Sequence, residues 1–524
     1  MLENRLNNCG CVDYDAADAV IKEVEMLAYG LKKAIMEAKD EIKVSGKCYY
    51  VSEKNGDDGN DGLSKEKPIK TTAKLGETEL FPGDGVFFER GGIYRNGFTC
   101  SAGVTYAAYG EGRKPRIYGS PENGADPDKW SLVDGTKNIW KYSVTMSDVG
   151  VIIFDEGRYY SVKKIPSYID GRYVHRYNKD VPFDIKKDMN RDLCHFCKAD
   201  FEVDGNGNPL INDKTGEIYL RCDRGNPGEI FDSIEFANRP NVIRVGGKPN
   251  VHIDNLAVMY GGCHGVGAGT VDGLTVTNCE IGWIGGAIQF YFGDGDRKGD
   301  VVRYGNGIEI YGGCDGFLVD HNYIYQCYDA GVTHQLSSGG DRDCFQKNVT
   351  YSNNLIEYCT YNYEYFLGNP SGANCIRYQK NIKVVDNIMR YAGFGFGTQR
   401  PESDTYFPAA HIKGWDHDNN LDENYVIEDN IFDRSRNMIY HCVAIKKQYL
   451  PESRNNIFIQ YNTTAPAYFG RWGVKGETVD TPYDDNVKTF IRESVGDTTS
   501  GIYYAEKDWL FDLPDYLPKC DRNC

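Results

Sequence analysis

Six stretches of this chain repeat one five-residue theme: His252-Ile-Asp-Asn-Leu256, Thr275-Val-Thr-Asn-Cys279, Val319-Asp-His-Asn-Tyr323, Tyr351-Ser-Asn-Asn-Leu355, Val384-Val-Asp-Asn-Ile388 and Ile427-Glu-Asp-Asn-Ile431. Aligned on the Asn (Asn255, Asn278, Asn322, Asn354, Asn387, Asn430), the spacings are 23, 44, 32, 33 and 43 residues. A recurrence of this size, with each copy a short apolar strand ending in an amide, marks a solenoid. The shortest interval measures one coil, and the longer ones measure coils that carry inserted loops. Five residues past four of these Asn stand Cys327, Cys359, Ala392 and Ser435. Such small side chains suit an inward corner where coils stack at about 4.8 Å. The Asn are read as a structural amide ladder, with no catalytic role.

Working outward, residues 48–465 read as this solenoid, 1–47 as an N-terminal amphipathic helix, and 466–524 as a C-terminal tail or cap. Val20, Val24, Leu27, Leu31, Ile35, Ala38 and Ile42 form one apolar stripe at three- and four-residue steps. The reading is a cap over the first coil, with a homo-oligomer interface as the alternative. Residues 120–240 break the pattern and read as an insertion or side lobe.

The formal net charge of −17 argues against nucleic acid or an anionic membrane as partner. No apolar run reaches membrane-spanning length. Seventeen Cys, odd in number and scattered, read as reduced thiols, and residues 14–43 lack a secretory h-region. Together these predict a cytoplasmic protein. Cys194 and Cys197 form a C-x-x-C without the second pair that a zinc site needs, and Asp57, Asp58 and Asp61 lack the spacing of an EF-hand. No metal or cofactor is assigned, and dependence on a divalent cation is left open.

The repeat resembles the right-handed parallel β-helix of pectate lyases, polygalacturonases and related carbohydrate-active proteins. The opening Tyr49-Tyr-Val-Ser52, Gly59-Asn-Asp-Gly62 and Pro68-Ile-Lys-Thr-Thr72 resembles the entry of many bacterial members. Trp283-Ile-Gly-Gly-Ala-Ile-Gln289, Gly305-Asn-Gly-Ile-Glu309 and Tyr328-Asp-Ala-Gly-Val-Thr-His-Gln335 look like bacterial β-helix glycoside hydrolases of the β-xylosidase and α-fucosidase kind. The resemblance implies an all-β, right-handed parallel β-helix acting on carbohydrate. It leaves the chemistry open, since one fold hosts hydrolases, lyases and isomerases.

One strand per coil is aligned as a groove face: Ala287–Phe290, Gly307–Ile310, Gly331–His334, Tyr363–Phe366 and Phe396–Gln399. Strand alternation points Ile288, Ile308 and Val332 inward, and Gln289, Glu309 and Thr333 outward. Insertions follow four of these strands at one phase and predict a loop-walled groove with Glu309 on its floor. Glycosidic cleavage needs two carboxyl groups, and Glu309, Asp329 and Glu364 are the candidates. Glu309 stands mid-strand, where a β-branched or aromatic residue would be the structural choice. Asp329 sits at a corner, and Glu364 lies among Tyr361, Tyr363 and Tyr365. The assignment leans to inversion, with Glu309 as base and Asp329 or Glu364 as acid. Trp283, Gln289, His334, Tyr365, Gln399 and Arg400 are the expected substrate contacts. His264 is a weaker candidate on an earlier coil. The expectation is an exo-acting glycosidase. A polysaccharide lyase, an epimerase or transferase, and a non-catalytic glycan-binding solenoid are the rivals.

Overall fold

The structure, a computed structural model, describes residues 12–13, 16–39, 42–199, 202–203, 209–210, 216–337, 340, 342–368, 375–399, 409–417, 423–445, 450–461, 468–473, 479–482 and 490–505. The chain winds as a right-handed parallel β-helix. Each full coil contributes one strand to each of three long sheets. In the central coil these strands are Cys314–Asp320 (sheet 1), Tyr323–Cys327 (sheet 2) and Ala330–Leu336 (sheet 3). Each pairs in parallel with its counterparts one coil before and one coil after.

The turn from sheet 1 to sheet 2 shows why the Asn repeat exists. The backbone N–H groups of Asn322, Asn354, Asn387 and Asn430 donate to the side-chain oxygens of Asn354, Asn387, Asn430 and Asn456, at 2.9–3.0 Å. Each amide nitrogen also donates to a carbonyl of the preceding coil (Val276, Val319, Tyr351 and Val384), which pairs buried turn groups that a loop would strand. The register corrects the sequence alignment by one position in the two early coils. Glu280 pairs with Tyr323, which places Cys279 on the ladder beside Asn322. Asn255 and Asn278 belong to the preceding column, which holds a left-handed backbone (φ 60° and 52°), as do His321, Asn353, Asp386 and Asp429. Both columns favour Asn, which is why the sequence did not separate them.

The inward faces form one core running the length of the solenoid, from Val51 and Phe88 to Phe469 and Ile502. The small corner column, Cys327, Cys359, Ala392 and Ser435, is fully buried as expected. The solenoid continues past residue 465, because Tyr468–Gly473 joins sheet 3 and Gly501–Ala505 joins sheet 2.

The helix Ala17–Met36 does not cap the first coil. Its stripe, with Ile21, Val24, Ala28 and Ile35 buried, lies along the outer face of sheet 2 against Tyr323, Leu355, Ile388, Ile431 and Ile457. A 20-residue helix is about 30 Å long, enough to cross six coils at about 4.8 Å each. Val12–Asp13, just before it, pairs in parallel with the strand Gly501–Ala505. The N-terminal segment is therefore a lengthwise strap, and its apolar stripe is covered by the chain's own sheet.

The lobe predicted at 120–240 carries its own five-stranded sheet (Trp130–Leu132, Ile139–Tyr142, Val162–Lys163, Cys194–Ala199 and Gly216–Arg221) and its own core around Trp130, Phe154, Ile218 and Phe236. It leaves after Arg116–Tyr118 and re-enters sheet 3 at Ile243–Gly246. Two of the aligned groove strands lie elsewhere. Ile288–Tyr291 forms an antiparallel ribbon with Val301–Arg303, and Phe396–Gln399 is a short helical turn. Val266–Ala268 and Ala410–His417 are the sheet 3 strands at those levels.

Candidate active site

Sheet 3 presents one outward column whose order follows from strand register: Arg244, Gly267, Glu309, Thr333, Glu364, Lys413, His441. Its flanking residues Ile243, Ile308, Ile310, Val332, Tyr363, Tyr365 and Ile412 are in the core, so alternation drives this column out. An apolar core thus forces the charged side chains of coils far apart in sequence onto one surface.

Glu309 is 4% exposed and makes contact with polar but neutral groups. Asn306 Nδ2 donates to Oε2, and Gln335 Nε2 donates to the same oxygen at 3.1 Å. The Asn306 amide cannot be turned over, because its oxygen accepts the Ala330 N–H at 2.7 Å. His264 Nδ1 lies 3.1 Å from Oε2 and also accepts the Asn306 backbone N–H at 3.1 Å. Burial pushes the Glu309 carboxyl up and the nearby Asp329 charge adds to it, against the opposing amide bonds, to about 7.

The local backbone makes this arrangement possible. The ribbon 288–303 returns to sheet 3 at Gly305, whose φ is 155° and whose absent Cβ would collide with Gly285. That close approach delivers Asn306 beneath Glu309. Tyr304 stacks on the His264 ring at 5.5 Å and 18°. Burial raises the Tyr304 hydroxyl and the Glu309 charge adds to it, while Arg239, at the return from the lobe, opposes both.

Asp329 is 7% exposed at the corner before Ala330–Leu336. Its N–H donates to Gly305 at 3.0 Å and its carbonyl accepts the Tyr361 N–H at 3.1 Å, so the coils on either side fix it. Glu364 lies two coils from Glu309, about 10 Å away at sheet spacing. It is buried and ion-paired with Lys413, whose ammonium sits 4.3 Å over the Tyr361 ring. Thr333 stands between the two glutamates, fully buried, with an Oγ1 that makes no hydrogen bond among the described residues.

Glu309 and Glu364 therefore share one outward column, and Asp329, at the corner of the coil between them, is near enough for its charge to act on Glu309. The expected substrate contacts fare differently. His334 and Tyr365 point into the core: His334 Nδ1 lies 3.0 Å from the Tyr351 hydroxyl, and Tyr365 packs on Tyr363 and Tyr425. Alternation from an outward Thr333 already required an inward His334. Trp283 is on the outer side of sheet 2, packed with Tyr160 and Phe396 against the lobe. Gln289 is half-buried on the ribbon, and its amide donates to Ala287 O at 3.1 Å. The Gln399 side chain and Arg400 lie outside the described residues. Asn306 and Gln335 were overlooked as site residues, although the runs containing them were singled out. His264 was underweighted because its partner lies 45 residues on.

Among the described residues no cluster of His, Cys, Asp and Glu has the composition of a metal site. Cys194 and Cys197 are buried in the lobe.

No family model matches the chain. A lacto-N-biosidase of Bifidobacterium longum subsp. longum is 34% identical over 98 residues, which cover 16% of this chain and 6% of that protein. The chain thus matches only a small part of this curated relative. Among solved structures, a GH136 lacto-N-biosidase from Eubacterium ramulus has a TM-score of 0.37 at 12% identity, covering 88% of this chain and 68% of that one. An alginate lyase from Paenibacillus sp. str. FPU-7 has a TM-score of 0.33 at 10% identity (83% and 96% covered). A polygalacturonase from Erwinia carotovora ssp. carotovora has a TM-score of 0.32 at 10% identity (84% and 100% covered).

Proposed function

We propose that the protein is a glycoside hydrolase that cleaves an oligosaccharide or glycoside held along the outer face of sheet 3. The observation that carries this is Glu309: a buried carboxyl with no Lys or Arg partner among the described residues, hydrogen-bonded to neutral amides, with the Asp329 carboxyl near enough for its charge to act on it. A site that shifts one acid towards neutrality and sets a second carboxyl near it separates the two roles of glycosidic cleavage. Glu309 serves as general acid and protonates the leaving glycosidic oxygen. Asp329 acts as the ionised partner, either as nucleophile or as base towards water. This reverses the assignment that Glu309's strand position alone suggested, because a carboxyl raised to about 7 suits an acid. Glu364, neutralised by Lys413, shapes the groove two coils on. Removal of a terminal sugar, the exo mode, is part of the same proposal.

The test is a screen of aryl glycosides and oligosaccharides on wild type, Glu309→Gln, Asp329→Asn and Glu364→Gln. New reducing ends, lost in the first two variants and retained in the third, are expected. Product carrying the ultraviolet absorbance of an unsaturated uronide would make it a lyase. Full activity in both Glu309→Gln and Asp329→Asn would remove the site.

A further inference from the structure

Arg244 occupies the same outward column as Glu309, with Gly267 between them. Two coil spacings put it about 10 Å away along the groove axis, close to the length of two sugar rings. Ile243 and Val245 on either side are buried, which fixes its outward direction. Its guanidinium is held on one side only: Nε donates to Thr99 Oγ1 at 3.0 Å, and Nη1 donates to the carbonyls of Asn241 at 2.9 Å and Asn96 at 3.3 Å. Nη2 makes no hydrogen bond among the described residues, and no carboxylate there lies within ion-pair distance.

The chain carries 76 acidic against 59 basic residues. Arg390 and Arg434 share Asp433 and Lys413 has Glu364, whereas Arg244, like the buried Lys114 on the Asn255 amide oxygen, is held by neutral oxygens. A guanidinium immobilised by neutral oxygens and left without a counter-charge is a prepared anion receptor. Gly267 reinforces the reading. A Cβ there would collide with the Asn241 amide nitrogen, so the missing side chain lets that amide lie over the column between Arg244 and Glu309. Arg244, Asn241 and Thr99 form a polar platform with no acid in it.

We infer that Arg244 is a specificity residue for an anionic substituent, a carboxylate or a sulfate ester, on a sugar about two units from the cleaved bond. The inference rests on the proposed glycan groove and names the substrate class that groove prefers. It adds no chemical step, because Arg244 touches the substrate away from the reacting atoms.

The test is affinity electrophoresis of the full chain, with activity as a separate readout. Gels containing a polyuronate, a sulfated glycan or a neutral glycan of matched length are run with wild type, Arg244→Gln, Arg244→Lys and Thr99→Val. The account expects retardation by at least one acidic glycan, at least ten-fold weaker in Arg244→Gln and partly kept in Arg244→Lys, with binding to the neutral glycan unchanged. The acidic gel that retards identifies the anion. Thr99→Val, which frees Nε without removing the charge, should weaken acidic binding by a smaller factor, and it serves if Arg244→Gln does not fold. Equal retardation of wild type and the variants, or preference of wild type for the neutral glycan, overturns the inference. Arg244-dependent binding without cleavage of any bound glycan would overturn the hydrolase reading and leave this one standing. Cleavage indifferent to Arg244 would do the reverse.

Discussion

Two buried carboxylates on the outside of this solenoid have opposite surroundings. On sheet 2, under the strap helix, Asp433 is fully buried between Arg434 at 2.7 Å and Arg390 at 3.0 Å; Arg390 also reaches Glu357 at 3.3 Å. Burial pushes its carboxyl up, but the two guanidinium charges overcome that and hold it below the ordinary range. On sheet 3, Glu309 is just as hidden, yet its neighbours are amides, an imidazole and another acid. The fold supplies a counter-charge to Asp433, which holds elements together, and to Glu364, and withholds a Lys or Arg from Glu309 among the described residues.

That contrast can be broken by removing each acid. Glu309→Gln should lower turnover by about 10²–10⁴-fold, the usual worth of a general acid, while leaving the fold intact; steady-state kinetics beside a melting curve would show whether it does. Asp433→Ala should do the opposite. It removes the shared partner of two buried guanidinium groups, leaving Arg390 with Glu357 and Arg434 with Glu25, at a cost of about 3–5 kcal/mol in stability, and urea unfolding should show that loss while the folded fraction keeps its turnover.

The pH dependence of stability sharpens the comparison further. Glu309 is raised from 4.5 to about 7, so the folded chain keeps a proton that the unfolded chain releases. Its contribution is complete below 4.5 and is lost as pH climbs to 7, by up to about 3 kcal/mol. Asp433 is lowered from 3.8, so its contribution is present above that value and is lost as pH falls through the folded pKa. Melts from pH 5 to 8 should slope downward in wild type and flatten in Glu309→Gln. The smallest effect belongs to Glu25, the strap's half-exposed acid at 3.4 Å from Arg434. Glu25→Gln should change stability by less than about 1 kcal/mol, measured in the same urea titrations.

The solenoid was legible because its cause is local: an amide at every turn and small residues at every corner leave a period in the sequence. The one-residue slip at Asn255 and Asn278 arose because ladder and left-handed turn accept the same residue. The strap was visible as a helix, but its destination was not, since an apolar stripe does not say which apolar face it meets. On sheet 3, the outward placement of Glu309 and Glu364 was legible through strand phase, and the corner position of Asp329 through the Ala-Gly that follows it. Asn306 and Gln335 were harder, because what distinguishes them is the carboxyl they touch across coils. His334 and Trp283 were misplaced for a shared reason. Polar or aromatic character suggested a surface, while the coil's geometry put one in a tyrosine-lined interior and the other beneath the lobe.

The most direct measurement is the infrared difference spectrum between wild type and Glu309→Gln across pH 5 to 8, read at the carbonyl stretch of a protonated carboxyl. A band present at pH 5, half lost near pH 7 and missing from the variant is the result this account predicts. No such band at pH 5 would mean that Glu309 is already ionised there, and the acid would have to be sought elsewhere on the groove.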